Sequence, residues 1–306
     1  MNRKRVKKDK KITFKSFIYN DNTVGYLFAL PFIIGFLGFT IYPMINSLYY
    51  SFTDYNMREA NWVGVANYLR LTTDTRFLKS VRVTLSYVFL SVPLKLAFAL
   101  FVAYLLTKKT KAASLYRSLY YIPSLIGGSI AVALVWKEIF SRRGLINTII
   151  TTFGGSPVSW FGHQSLAMVP LILMTVWQFG SSMIIFAAGL KEIPGTYYEA
   201  ARIDGANKLS IFVKITLPCL SPIILYNLIM QTIAGFMSFT QAFVITQGGP
   251  NDATMFYALS VYNQAFKYRE MGYASAMSWV MLIFMSFITL IIFKTSKRWV
   301  FSEAGE

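Results

Sequence analysis

The chain has 306 residues, 55% of them hydrophobic and 14% charged, with a mean hydropathy of +0.48, whereas a soluble domain is roughly 45–50% apolar and about 25% charged. No single water-covered core hides that excess, so the composition is that of a membrane protein. The formal charge is +17, but no basic–aromatic module accompanies it, so nucleic acid is not read as a partner. A single cysteine, Cys219, and a single histidine, His163, exclude a disulfide framework, a thiolate zinc site and His-based metal clusters, and leave little for catalysis.

A bilayer core about 30 Å thick calls for roughly 20 apolar residues in a helix. Residues 1–23 form a basic tail, and the uncharged run between Asp21 and Asp54 supplies the first span. That run is far longer than the 7–15 residues of a signal core and ends in no small-x-small cleavage site, so it is read as a retained helix. Residues 50–80 are polar and are expected to pack over the outer mouth. The second span covers 83–106, interrupted by Lys95, and the third covers 118–136. Residues 144–164, with Gly154, Gly155 and Pro157, suggest an interfacial helix and a turn. The fourth span is 166–190, the fifth lies in the uncharged run 214–252, and the last is 271–293.

An all-α membrane protein with six transmembrane helices follows, its six-span domain covering 24–293 and a tail covering 294–306. Nineteen Lys and Arg fall in the two tails and in the loops after spans two and four, against ten in the opposite loops. By the positive-inside rule both termini are cytoplasmic. The basic excess is then a topology signal and a contact for lipid headgroups.

The loop 191–218 carries the most information. Thr196 and Glu199 have the spacing of a capping box, which predicts a helix starting near Tyr197. Gly205 can adopt the left-handed conformation that ends a helix. Leu209, Phe212, Val213 and Ile215 are expected to face the membrane, and Pro218 and Pro222 to mark re-entry. The run Glu199-Ala200-Ala201, three residues, Gly205, nine residues, then Ile215-x-Leu217-Pro218 resembles the EAA signature of ABC importer permeases, and Asp204 and Ala206 fit its extended form. Further runs resemble the maltose-type sugar branch, and its first permease in particular: Tyr120-Tyr121-Ile122-Pro123, Gly144-Leu145-Ile146-Asn147, Thr246-Gln247-Gly248-Gly249-Pro250 and Gly272-Tyr273-Ala274-Ser275-Ala276. The likeness is to the compact oligosaccharide version, without the extra N-terminal spans and large periplasmic insertion of the maltose member.

The resemblance implies the type I ABC importer fold in a bacterial cell membrane. It also implies a second permease, two ATPase subunits using ATP and Mg, and an extracellular solute-binding protein that delivers a sugar. The EAA helix would be the coupling helix that seats in an ATPase. This chain has no G-x-x-x-x-G-K-[ST] run to cradle phosphates, so it is read as a non-catalytic subunit with no cofactor of its own. Glu199 also has a purely structural reading as a capping carboxylate, and Gly205 as an ordinary C-cap; both are compatible with coupling.

On a continuous fifth helix, Asn227, Gln231, Ser238 and Gln241 would fall within an arc of about 80°. Amides and hydroxyls suit a sugar, and Trp177 with Gln178 on span four could add an aromatic face and another amide. The same polar stripe could instead hold the bundle together. Lys95, midway along a span, could snorkel, face the second permease or face the pore. An ion-coupled transporter would show buried carboxylates, and a membrane enzyme a nucleophile or metal site; neither pattern is present. A glycerol-phosphate permease would need basic residues in its path, and only Lys95 could serve.

Overall fold

The computed structural model describes residues 21–107 and 113–301. The basic run before residue 21, Lys108, Lys109 and Lys111, and the last five residues lie outside them. Among the described residues every regular element is a helix, apart from an isolated antiparallel bridge between Thr53 and Trp62.

Among the described residues, four helices are long and apolar enough to cross a membrane: α1 (Val24–Ser51), α3 (Thr75–Leu105), α10 (Lys208–Phe236) and α12 (Met271–Ser296). Between α1 and α3 lies the short α2 (Ala66–Thr73). Two more apolar stretches are bent pairs. Helices α4 (Ala113–Ile126) and α5 (Ile130–Ile139) meet at 101°, and α7 (Met168–Trp177) and α8 (Gly180–Glu192) at 42°. The third expected span is therefore broken. Two glycines, Gly127 and Gly128, interrupt it, and the Ser129 hydroxyl accepts from the Val132 amide at 3.3 Å to start a new helix in a new direction. Where a helix and a turn are expected, over 144–164, lies α6 (Leu145–Thr152), closed by a turn with Gly154 at φ +83°.

Helix α3 is the axis of the packing, with α7, α8 and α10 against it and α11 (Tyr257–Tyr262) against its N-terminal half. Its buried side chains recur along one face: Phe77, Ser80, Thr84, Tyr87, Val88, Ser91, Val92, Lys95, Leu96, Ala99 and Ala103. The Tyr87 and Phe256 rings pack tilted with 4.4 Å between their centres, and Phe98 meets Phe179 edge-on at 4.7 Å, contacts that add to plain area burial. In α1, by contrast, no residue from Val24 to Tyr50 is buried. Its last turns, Tyr42–Ser51, lie along α12, and the rest of that greasy rod is left to lipid or another protein.

Residues 52–74 pack against the start of α12, as expected for a segment covering one end of the bundle. Arg70 pairs with Glu270 at 2.8 Å, and its guanidinium lies 4.1 Å over the Tyr273 ring. The Tyr273 hydroxyl donates to Asp74 at 2.7 Å, and Asp74 caps α3 by accepting from the Arg76 and Phe77 amides. At Gly272 a side chain could not fit: a Cβ there would lie 2.0 Å from the Thr53 carbonyl oxygen. The bare glycine lets its amide reach Tyr55 O at 2.9 Å.

Candidate functional site

Two places stand out, one at an end of the bundle and one inside it. The first is the loop after α8. Its helix, α9 (Gly195–Ile203), has no buried residue, and Ile203 is 87% exposed at its tip. The link back to the body is slight: the Tyr198 and Thr216 hydroxyls lie 3.3 Å apart. Glu199, Ala200, Asp204 and Gly205 are exposed, and Ala201 is half-buried.

Gly205 has φ +76°. Its amide donates to Arg202 O at 3.1 Å, and the Ala206 amide reaches back to Ala201 O at 2.9 Å. This is the paired 5→2 and 6→1 pattern that satisfies the last carbonyls of a helix and needs a left-handed residue. The start of α9 differs from expectation. The helix begins at Gly195 after Pro194, and no side chain caps it. Pro194 turns the chain into the helix early, so Thr196 and Glu199 sit inside it and the capping box does not form.

Re-entry also differs. Asn207 accepts from the Ser210 amide at 2.8 Å and opens α10, which continues through Pro218 and Pro222 to Phe236. A π-helical turn, Phe212–Thr216, directly precedes Leu217 and Pro218. Such a turn widens the helix where the proline ring would otherwise meet a carbonyl of the preceding turn. The prolines thus lie within the helix and do not start it. Leu209 and Val213 are exposed, while Phe212, Ile215, Leu217 and Pro218 are half-buried.

The second place is a polar cavity of about 90 Å³ between α3, α7 and the end of α10. From α3 come Tyr87, Ser91 and Lys95, at four-residue spacing on one face; Thr175 and Gln178 come from the end of α7. Gln231 lies on α10, and Ser238 and Gln241 follow it. The Tyr87 and Thr175 hydroxyls share a 2.5 Å hydrogen bond, and each lies 3.3 Å from Gln241 Oε1, which accepts from whichever of them has its proton free. The Gln178 amide donates to Gly127 O at 3.3 Å and Met174 O at 3.2 Å, just where α4 and α5 break apart.

The expected stripe is therefore only partly realised. Gln231, Ser238 and Gln241 do converge, but not on one helix: α10 ends at Phe236, Ser238 lies in the break and Gln241 opens the next turn. Asn227 does not join them, since its amide donates to Ile223 O on its own helix at 3.1 Å and it is 1% exposed. Trp177 turns away to lie against Trp136, with 5.8 Å between ring centres. Tyr87, Ser91 and Thr175 were missed. The signal for the first two was present in the sequence as polar residues every fourth position, ending at Lys95, on an apolar helix.

Residues 69–301 match the family model described as "binding-protein-dependent transport system inner membrane component". The chain belongs to that family. As an ABC transporter permease it is similar to the probable ABC transporter permease protein YesP of Bacillus subtilis (strain 168), at 51% identity, with 94% of this chain and 95% of the relative covered. It is 33% identical to the arabinooligosaccharides transport system permease protein AraP of the same organism, with 92% and 91% covered. In fold the permease resembles a chain of a bacterial alginate ABC transporter, solved in complex with an alginate pentasaccharide-bound periplasmic protein. The TM-score is 0.78 at 21% identity, with 90% and 94% covered. The EAA spacing and the all-helical, multi-pass architecture fit this family.

Proposed function

We propose that the chain is the permease subunit of an importer that carries a carbohydrate, specifically an oligosaccharide, into the cytoplasm, driven by ATP hydrolysis on separate subunits. The observation that carries this reading is continuity. The exposed α9 leads through one capped, unbroken helix, α10, to the polar cavity. A protein that seats on the loop therefore acts on the cavity through a single element. The amide and hydroxyl lining suits a sugar, and the arabinooligosaccharide cargo in the name of AraP supports the same class.

Counting each bent pair as one span gives six, which leaves both termini on one side. The Lys and Arg excess of that side supports the cytoplasm of a bacterial cell. The partners are two ATPase subunits that bind ATP and Mg beneath α9, an extracellular solute-binding protein, and a second permease. The unburied α1 and the apolar groove lined by Phe236, Phe239, Tyr262 and Met285 are suited to that second permease. Membrane lipid meets the basic tail.

Reconstitution tests the assembly. Proteoliposomes holding this chain, the second permease, the ATPases and the binding protein should take up oligosaccharide when given ATP. The chain alone should take up none. Uptake by the lone chain would sink the reading.

A further inference from the structure

Lys95 is buried, at 8% exposure, and it lines the polar cavity rather than reaching for the membrane surface. It makes no hydrogen bond or ion pair among the described residues, whose one salt bridge is Arg70–Glu270 at the far end of α3. No aspartate or glutamate lines the cavity. Holding an ammonium group inside a membrane protein without a counter-charge is costly, and such residues mark paths and ligands. A methionine or leucine would fill the same space without that penalty. Of the neutral polar groups, Tyr87, Thr175 and Gln241 bond one another and Gln178 is tied to backbone carbonyls, while Ser91, Gln231 and Ser238 complete the lining with no charge of their own. Lys95 alone points an unused positive charge into the path. It stands two turns from Tyr87, roughly 12 Å along the helix.

Resting on the importer reading above, we infer that the cargo is an acidic oligosaccharide, whose carboxylate meets Lys95 while its hydroxyls meet the amide and hydroxyl cluster around Gln241. One unpaired ammonium matches one negative charge, which favours a uronic acid over a doubly charged phosphate ester.

The test compares a uronic-acid disaccharide with its methyl ester, which masks the charge and keeps the ring. Uptake of each is measured in the complete transporter carrying the native chain, Lys95→Gln or Lys95→Arg. The same binding protein serves all three, so its own preference cancels between variants. The native complex should favour the acid. Lys95→Gln should lower the acid-to-ester ratio by about tenfold or more, as expected for loss of a charge-assisted contact, and Lys95→Arg should keep most of it. An unchanged ratio in Lys95→Gln overturns the inference. So does a Lys95→Gln chain that no longer assembles with the second permease while Lys95→Arg does, because the lysine's counter-charge then belongs to that subunit. A native complex that imports neutral oligosaccharides but not the acid overturns it too, and leaves the importer reading intact. A complex that imports no sugar of any kind overturns the importer reading itself.

Discussion

Gln231 and Asn227 are one helical turn apart on α10, yet they do different things. Gln231 lines the cavity, whereas Asn227 is sealed against its own helix. Gln231→Leu should raise the KM for oligosaccharide uptake several-fold or more, because a sugar group left without its partner costs about 1–3 kcal/mol. Asn227→Leu should leave KM unchanged and show its effect, if any, in the melting temperature. Equal KM shifts in the two variants would return both residues to bundle packing. Residue types were enough to single out Gln231, Ser238, Gln241 and Gln178 as candidate lining, and left Lys95 open between the membrane surface, a second permease and the pore. They could not separate Asn227, because a polar side chain in an apolar helix reads the same whether it faces a cavity or bonds to the carbonyl one turn back. Trp177 escaped for a similar reason: its direction depends on the Trp136 ring, which a bend in another span brings beside it.

At the scale of elements, the end of α9 was legible and its beginning was not. A glycine after a helical run predicts a left-handed stop, and Gly205 makes one with both backward hydrogen bonds in place. A capping-box spacing predicts only that two residues can bond if a helix starts between them, and Pro194 starts it earlier. Gly205→Val would force a β-branched residue into positive φ, a strain of about 1–3 kcal/mol, and would redirect the chain between α9 and α10. In the purified transporter it should reduce ATP hydrolysis stimulated by the loaded binding protein, with all subunits present in normal proportion. Glu199→Ala should reduce it less, since it removes an exposed charge without straining the backbone. Full stimulation in Gly205→Val would show that this loop does not transmit. The bent pairs show the limit of hydropathy: a window over 118–136 reports apolar length, and Gly127-Gly128-Ser129 is too short to lower it.

For the molecule as a whole, the segment 52–74 is fastened to the bundle by a small electrostatic cluster. Burial alone pushes the Asp74 carboxyl up, but the Tyr273 hydroxyl, the Phe77 and Arg76 amides and the Arg70 charge outweigh it and hold it below its usual 3.8. A carboxylate with a depressed folded pKa contributes stability that is complete above its unfolded pKa and disappears as pH falls through the folded one. Asp74→Ala should therefore lower the melting temperature in detergent at pH 7, by a loss on the order of 1 kcal/mol for the cap. The gap from the native chain should narrow as pH drops below about 4. A gap independent of pH would assign the effect to packing alone.

The unbroken helix from the loop to the cavity has a mechanical meaning. Gln231 stands 23 residues beyond Lys208, roughly 35 Å at the rise of an α-helix. Tilting such a rod by about 5° around its loop end sweeps Gln231 through roughly 3 Å, the length of one hydrogen bond. A push too small to rearrange any packing at the loop is thus enough, at the far end, to let go of a sugar hydroxyl or to take hold of one.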